Sequence, residues 1–307
     1  MADNHAPQLH WCPLPDRVIT RVDGPDAREF LQNVVTNDLD RLDSDRALYA
    51  ALLTPQGMYL HDFVLTESDG AILLDSERER QPDLARKLAL YRLRSKATIE
   101  VDAGLCVGVG FGVHAAQAAG LDGTRGHARG LADGIVFTDP RSEELGVRVH
   151  LPEARLADFF GAAGFAEDSR DDYDRHRLSA GIPDGSRDLV VGRSYLLESN
   201  FDLLDGVSFS KGCYIGQENT ARQRYRGTVR RRLARVAITS GPAPAPGTPI
   251  RLGNRDVGTM RSSQGSDGLA HVRLALVAEA AAAGQELDCG DAKLRIRTPI
   301  PEAPSAT

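Results

Sequence analysis

Apolar positions along this chain fall into short runs whose periodicity keeps changing. After Asp23-Gly24-Pro25, they recur at Phe30, Leu31, Val34 and Val35, the spacing of a helix with one buried face. The aspartate and proline suit its first turn. Residues 47–53 and 58–66 read as strands, and Thr54-Pro55-Gln56-Gly57 between them has the chemistry of a hairpin turn. A third strand is predicted at 71–75. Leu84, Leu88 and Tyr91 mark an amphipathic helix, followed by strands at 97–101 and 105–109. Further helices are predicted at 152–160, closed by Gly161, and at 171–180, closed by Gly181. Asp171 and Asp172 favour the positive end of the latter.

Strands and helices alternate without the regular cadence of a parallel sheet, so the fold class expected is α+β with antiparallel sheets. The run GPAPAPG at 241–247 is a proline-stiffened connector or long turn. Beyond it, short strands around Ile250, Val257, Leu269 and Leu294 suit a small C-terminal β-barrel. The Pro- and Ala-rich tail is expected to be disordered.

Composition narrows the class. The 307 residues carry a net charge of −6, with 41% hydrophobic and 26% charged residues, ordinary values for a globular protein. The acidic balance argues against direct nucleic-acid binding as a property of the whole chain. No apolar run is long enough to span a bilayer. The N-terminal fifteen residues lack an apolar core and an Arg/Ser-rich amphipathic pattern, so no membrane association and a cytoplasmic location are expected. Cys12, Cys106, Cys213 and Cys289 are scattered, with no C-x-x-C pair, so no metal site is assigned.

Two candidate motifs are weak. Gly108, Gly110 and Gly112 follow a strand, but the third glycine is misplaced for dinucleotide binding, and a flexible turn is expected there. His61 and Asp62 are adjacent in a strand, where neighbouring side chains point to opposite faces. Ordinary packing roles are expected for both.

The segment 211–235 is different. It holds Lys211 and arginines 222, 224, 226, 230, 231, 232 and 235 against Glu218 as its one acid. A basic segment in an acidic chain implies an anionic partner at that surface. Within it Cys213 lies between Gly212 and Tyr214, ahead of a helix expected to start near Gln217. A thiol beside cations and a helix N-terminus tends toward the reactive thiolate. Gly212 and Gly216 suggest backbone that bends tightly or approaches a ligand.

Residues 199–233, and KGCYIGQE at 211–218 above all, resemble the signature of the YgfZ family of folate-binding proteins, relatives of the glycine-cleavage T-protein. GPDAREFLQNVVTNDL at 24–39, LLTPQGMYLHDFVL at 52–65, YRLRSKATIEV at 91–101 and GTMRSSQGSDGLAHVR at 258–273 resemble further family elements. The resemblance implies a T-protein-like region at 1–238 with two interleaved α+β subdomains around a central folate site, a barrel at 239–298 and a tail at 299–307. It implies a tetrahydrofolate or polyglutamylated folate cofactor. The partners implied are [4Fe–4S] client enzymes, among them radical enzymes that modify tRNA. The functional loop carried over includes Gly212, Tyr214, Gln217 and Glu218, with Cys213 and Lys211 as its chemical groups. Arg222 and Arg226 are expected to pair with the folate's glutamyl tail, Tyr91 and Tyr214 to wall the pterin, and Arg177 to lie at the folate. Where T-protein has a glutamate for the pterin, Arg177-Leu178-Ser179-Ala180-Gly181 offers serine, which disfavours aminomethyl transfer. The reading is therefore an accessory factor for iron–sulfur enzymes. A one-carbon transferase, a tRNA-binding module and a ligand-free scaffold remain as alternatives.

Overall fold

The computed structural model describes residues 8–227 and 229–297, so the tail expected at 299–307 lies outside the described residues. The chain divides into two compact units, each drawn from several stretches of sequence.

The first unit comprises Met1–Leu52, His61–Tyr173 and Leu204–Ile215. It holds two sheets. One is five-stranded, in the order Leu48–Leu53, Tyr59–Ser68, Ala71–Glu77, Arg17–Asp23 and Thr98–Val101. The other is six-stranded, in the order Ala166–Glu167, His10–Pro13, Cys106–Phe111, Val147–Leu151, Gly134–Thr138 and Ala128–Leu131. Ladders are antiparallel except where His10–Pro13 meets Ala166–Glu167. The expected α+β class with antiparallel sheets is what forms. The hairpin forms at its expected place, closed by Gly57 N donating to Thr54 O at 2.8 Å with Gly57 at φ +82°. Leu84 and Leu88 anchor the helix Gln81–Arg92 with no exposed surface.

Three local expectations change. The first helix is short, Ala27–Gln32, and Asp26 rather than Asp23 precedes it; Asp23 instead accepts from Gly24 N. Val34 and Val35 are buried but lie beyond its end. The helix expected to close at Gly161 runs Glu153–Ala162, and Gly164 at φ +84° follows it. Gly108 and Gly110 are not a turn: both lie inside the strand Cys106–Phe111. A Cβ on Gly110 would sit 2.7 Å from the rings of Phe160 and Phe165, so glycine lets aromatic rings approach the ladder closely.

The second unit comprises Leu53–Leu60, Asp174–Leu203 and Gly216–Thr307. Its centre is a closed six-stranded barrel in the order Arg231–Ser240, Asp267–Arg273, Arg255–Gln264, Pro249–Leu252, Leu287–Cys289 and Ala292–Arg297. Val236, Ile250, Val257, Met260, Ala270, Val272 and Leu294 fill its core. The strand Arg231–Ser240 crosses the boundary drawn at 238, and the proline run at 241–247 joins two barrel strands. The helix Leu274–Ala282, which alternation alone does not reveal, also packs on this core.

Hydrocarbon and charge both span the two sheets of the first unit: Ile19 and Leu73 of one pack with Cys12, Val107 and Val109 of the other, beside a buried set of charges. Asp75, fully buried, accepts from Arg17 Nε at 2.6 Å and pairs with Arg148. Arg148 Nε also reaches Asp139 Oδ2 at 2.9 Å, and Asp139 is gripped in turn by Arg141 at 3.0 and 2.9 Å. Burial alone would raise the Asp75 carboxyl, but the facing guanidinium groups hold it far below the usual range. Asp75→Asn leaves buried arginines short of their counter-charge, so urea melts should show a loss of about 3–5 kcal/mol.

Candidate functional site

The 205–215 loop is built onto the segment 33–37 of the same unit. Thr36 Oγ1 donates to Gly206 O at 2.7 Å and accepts from Ala51 N at 2.8 Å. Asn37 Nδ2 donates to Tyr49 O at 2.8 Å and to Asp205 O at 2.6 Å. Ser208 N donates to Thr36 O, and Ile215 N to Asn33 O. Arg41 pairs with Asp205 at 2.8 Å. Thr36 and Asn37 are the residues that sequence reasoning missed. The signal was present in their polarity: two short hydrogen-bonding side chains directly after an apolar helical stripe.

Lys211 has a different role from the chemical one expected. Its ammonium donates to the carbonyls of Gln32 at 2.7 Å, Val35 at 2.9 Å and Asn37 at 2.6 Å. An ammonium has three N–H donors, and all three are used: one on the last carbonyl of the Ala27–Gln32 helix and two on carbonyls of the segment that follows it. The same ammonium lies 5.4 Å from the centre of the Tyr214 ring. Burial lowers its pKa to about 8, against the opposing pull of Asp38 and Asp40. Lys211 is therefore a structural clasp, because no donor is left for a ligand.

Cys213 is exposed and free, whereas Cys12 and Cys289 are buried and Cys106 is intermediate. Burial pushes the Cys289 thiol up to about 11, the mark of an inert cysteine. Gly212 faces open space and does not adopt a positive φ, so neither a tight bend nor a close approach explains it. Gly216 does need to be glycine. It sits at φ +80°, and a Cβ there would meet Thr54 O at 2.4 Å and Gly57 Cα at 3.1 Å. Gly57 in turn faces Gly216 O, so the close approach is backbone against the hairpin turn.

The helix Gln217–Arg226 starts where expected. Glu218, in its first turn, is exposed, as are Arg222 and Arg226, and Gln217 is half-buried. Arg222 Nη2 donates to Asn219 Oδ1 at 3.0 Å. Tyr91 lies half-buried on the helix Gln81–Arg92, and Tyr214 is buried. Arg177 corrects its expected role at the folate. It is 1% exposed, bonded to Asp174 at 2.5 Å, Asp188 at 2.9 Å and Ile182 O, so it braces the second unit. Ser179 is exposed and turns its hydroxyl back to His176 O at 2.7 Å. His61 and Asp62 act separately, as expected: His61 Nε2 meets Asp83 at 2.9 Å, and Tyr49 donates to Asp62 at 2.8 Å. In the first unit, a cleft of about 770 Å³ lined by Asp45, Glu67, Asp102 and Arg129 contains none of the residues singled out from sequence.

Two outcomes follow. Lys211→Met strands three carbonyls, and should cost about 2–4 kcal/mol in chemical unfolding. Burial is the leading cause that lowers the His61 pKa to about 4 from 6.5. Between those values the unfolded state binds the proton and the folded state does not, so stability falls on acidification from pH 6.5 to 4. Unfolding measured across this window should show a loss of up to about 3 kcal/mol attributable to His61, absent in His61→Gln.

Comparison with known proteins agrees with this architecture. Residues 230–301 match the family model described as "CAF17, C-terminal beta-barrel domain". The chain is 36% identical to the human mitochondrial iron–sulfur cluster assembly factor IBA57, over 84% of this chain and 75% of that protein. With the mouse protein of the same name it shares 32% identity over 89% and 80% of the two chains. The crystal structure of glycine cleavage system aminomethyltransferase T from Bartonella henselae superposes with a TM-score of 0.77 at 17% identity, covering 97% of this chain and 87% of that one. The T-protein-like fold follows from that match. The mitochondrial names overturn the cytoplasmic location expected from N-terminal composition, because a globular fold carries no physical mark of its compartment. With this much identity over most of both chains, the protein belongs to the YgfZ-like family of IBA57 iron–sulfur cluster assembly factors.

Proposed function

We propose that this chain is a folate-binding accessory factor for the assembly or repair of [4Fe–4S] enzymes, tRNA-modifying radical enzymes among them, with Cys213 as its working thiol. The observation that carries this reading is how the thiol is presented: free, exposed, and on a loop whose backbone Lys211, Thr36 and Asn37 hold in place. A thiolate is a natural ligand for iron–sulfur clusters. A cluster-bearing partner that meets Cys213 pays little to order the loop.

The fit to folate is better at its anionic tail than at its pterin. Arg222 and Arg226 are exposed guanidinium groups on one short helix, suited to carboxylates. Tyr214 gives one region of its ring to the Lys211 ammonium, leaving Tyr91 as the other aromatic candidate for the pterin. When bound, tetrahydrofolate supplies one-carbon chemistry, while the chain's arginines bind and orient its tail. Ser179 supplies no carboxylate, which counts against aminomethyl transfer.

Cys213→Ser should fold as the wild type does, yet leave the activity of a [4Fe–4S] enzyme in a deletion strain at the level of the empty vector. Full complementation by this variant sinks the role given to the thiol. In calorimetric titration, Arg222→Ala with Arg226→Ala should weaken polyglutamylated tetrahydrofolate more than the monoglutamate. Absence of binding by either form removes folate from the reading.

A further inference from the structure

The helix Gln81–Arg92 ends in a turn that holds apolar side chains out into solvent. Leu93 is 86% exposed and Leu90, one helical turn earlier, 67%. Leu93 also has φ +47° and ψ −108°, a backbone state that L-residues seldom adopt. A single exposed leucine is ordinary. An exposed leucine in a strained backbone is not, because the residue gains neither burial nor backbone comfort from its own chain.

The turn is not loose. Ser95 N donates to Arg92 O at 2.8 Å, and Arg92 Nη1 to Ala97 O at 3.0 Å. Lys96 N donates to Asp26 Oδ2 at 2.7 Å. Gly24, at φ +116°, lies so near that a Cβ would stand 2.3 Å from Lys96 O. Leu93 is thus a prong held from both sides.

Its surroundings are basic. Arg86, Lys87, Arg92, Arg94 and Lys96 fall within residues 84–97, a stretch with no acid. Arg86 and Lys87 pair with Asp83. Arg94 and Lys96 are exposed and make no ion pair among the described residues. An open cleft of about 530 Å³ lies at this corner, lined by Pro25, Leu93, Arg94 and Lys96. Asp23 is the one carboxylate lining it, and that group accepts from Gly24 N and faces Arg21 at 3.6 Å.

We propose that this corner docks a partner protein, Leu93 and Leu90 entering an apolar pocket whose rim is acidic. A rigid aliphatic anchor flanked by two exposed cations without ion pairs among the described residues, Arg94 and Lys96, suits that surface. Hot-spot anchors work when they are preorganised, and the cations add complementarity and orientation. The strain at Leu93 is then retained for binding rather than for folding. The proposal does not depend on Cys213 or on folate.

The test pans a displayed library of random peptides on the wild-type protein, with counter-selection on Leu93→Asp. Enriched peptides should carry Asp or Glu flanking a bulky apolar residue. A synthetic peptide of that sequence should bind the wild type and lose about tenfold or more in affinity to Leu93→Asp and to Arg94→Glu with Lys96→Glu. Leu93→Gly should raise the melting temperature, by relieving the positive φ, while weakening the same peptide. Enrichment of peptides without acids, or equal binding to Leu93→Asp, overturns the proposal. So does sedimentation with vesicles of phosphatidylcholine and phosphatidylglycerol that Leu93→Asp abolishes, since the surface would then be one for lipid.

Discussion

The first unit depends on a set of charges sealed from water. Arg17, Asp75, Asp139, Arg141 and Arg148 are each less than 5% exposed, and together they span its two sheets. Isolated in such a place, any one of them would be ruinous to bury. Each is instead matched: Asp75 lies between two guanidinium groups, and Arg148 bridges two carboxylates. Such a network is weak evidence for high stability, since hydrocarbon of the same shape often does as well. What it does supply is direction. A guanidinium held at two points fixes angle as well as distance, and hence how the two sheets of this unit meet.

That constraint reaches the loop through a short chain of contacts. Arg141, gripped by Asp139, lies 5.6 Å over the Tyr49 ring. Tyr49 offers its carbonyl to Asn37, and Asn37 holds the backbone of Asp205. Lys211 then fastens the loop to the end of the first helix with every donor it has. A lysine in a signature motif invites a chemical role, and a lowered pKa is a common companion of one. Geometry decides otherwise. The burial that lowers the pKa comes with three carbonyls that the ammonium must satisfy, and a group so engaged is a fastening.

The sequence was most legible where the physics is local. Turn chemistry at 54–57, the apolar stripe of Leu84 and Leu88, the barrel strands and the start of the helix at Gln217 all come from neighbours in the chain, and all stand in the structure. Cys213 stands out for a local reason too, its glycine and lysine neighbours, and the structure leaves it exposed. What was missed depends on residues far apart. Nothing near Gly110 announces Phe160 and Phe165, and nothing near Arg177 announces Asp188. Asp75 and Arg148 are 73 positions apart, so their pairing belongs to topology rather than to pattern. The family resemblance implies a chemical role for Lys211 and a place at the folate for Arg177. Folding brings each of them internal partners instead: Asp174, Asp188 and Ile182 O for Arg177, and three carbonyls for Lys211.

The same comparison shows what distinguishes Cys213 and Leu93. Most polar and apolar groups of interest in the first unit find a partner within it: Asp62 in Tyr49, His61 in Asp83, Lys211 in three carbonyls. These two side chains stay exposed while the backbone beneath each is tied down by hydrogen bonds. Mobility cannot explain their exposure, and burial was open to a thiol and a leucine as it was to Cys12 and Leu88. A small anchor on a rigid support gives a contact that forms without ordering cost and releases readily, because little area is involved. An assembly factor that meets and leaves its partners needs contacts of that kind. A large complementary face would hold them too long.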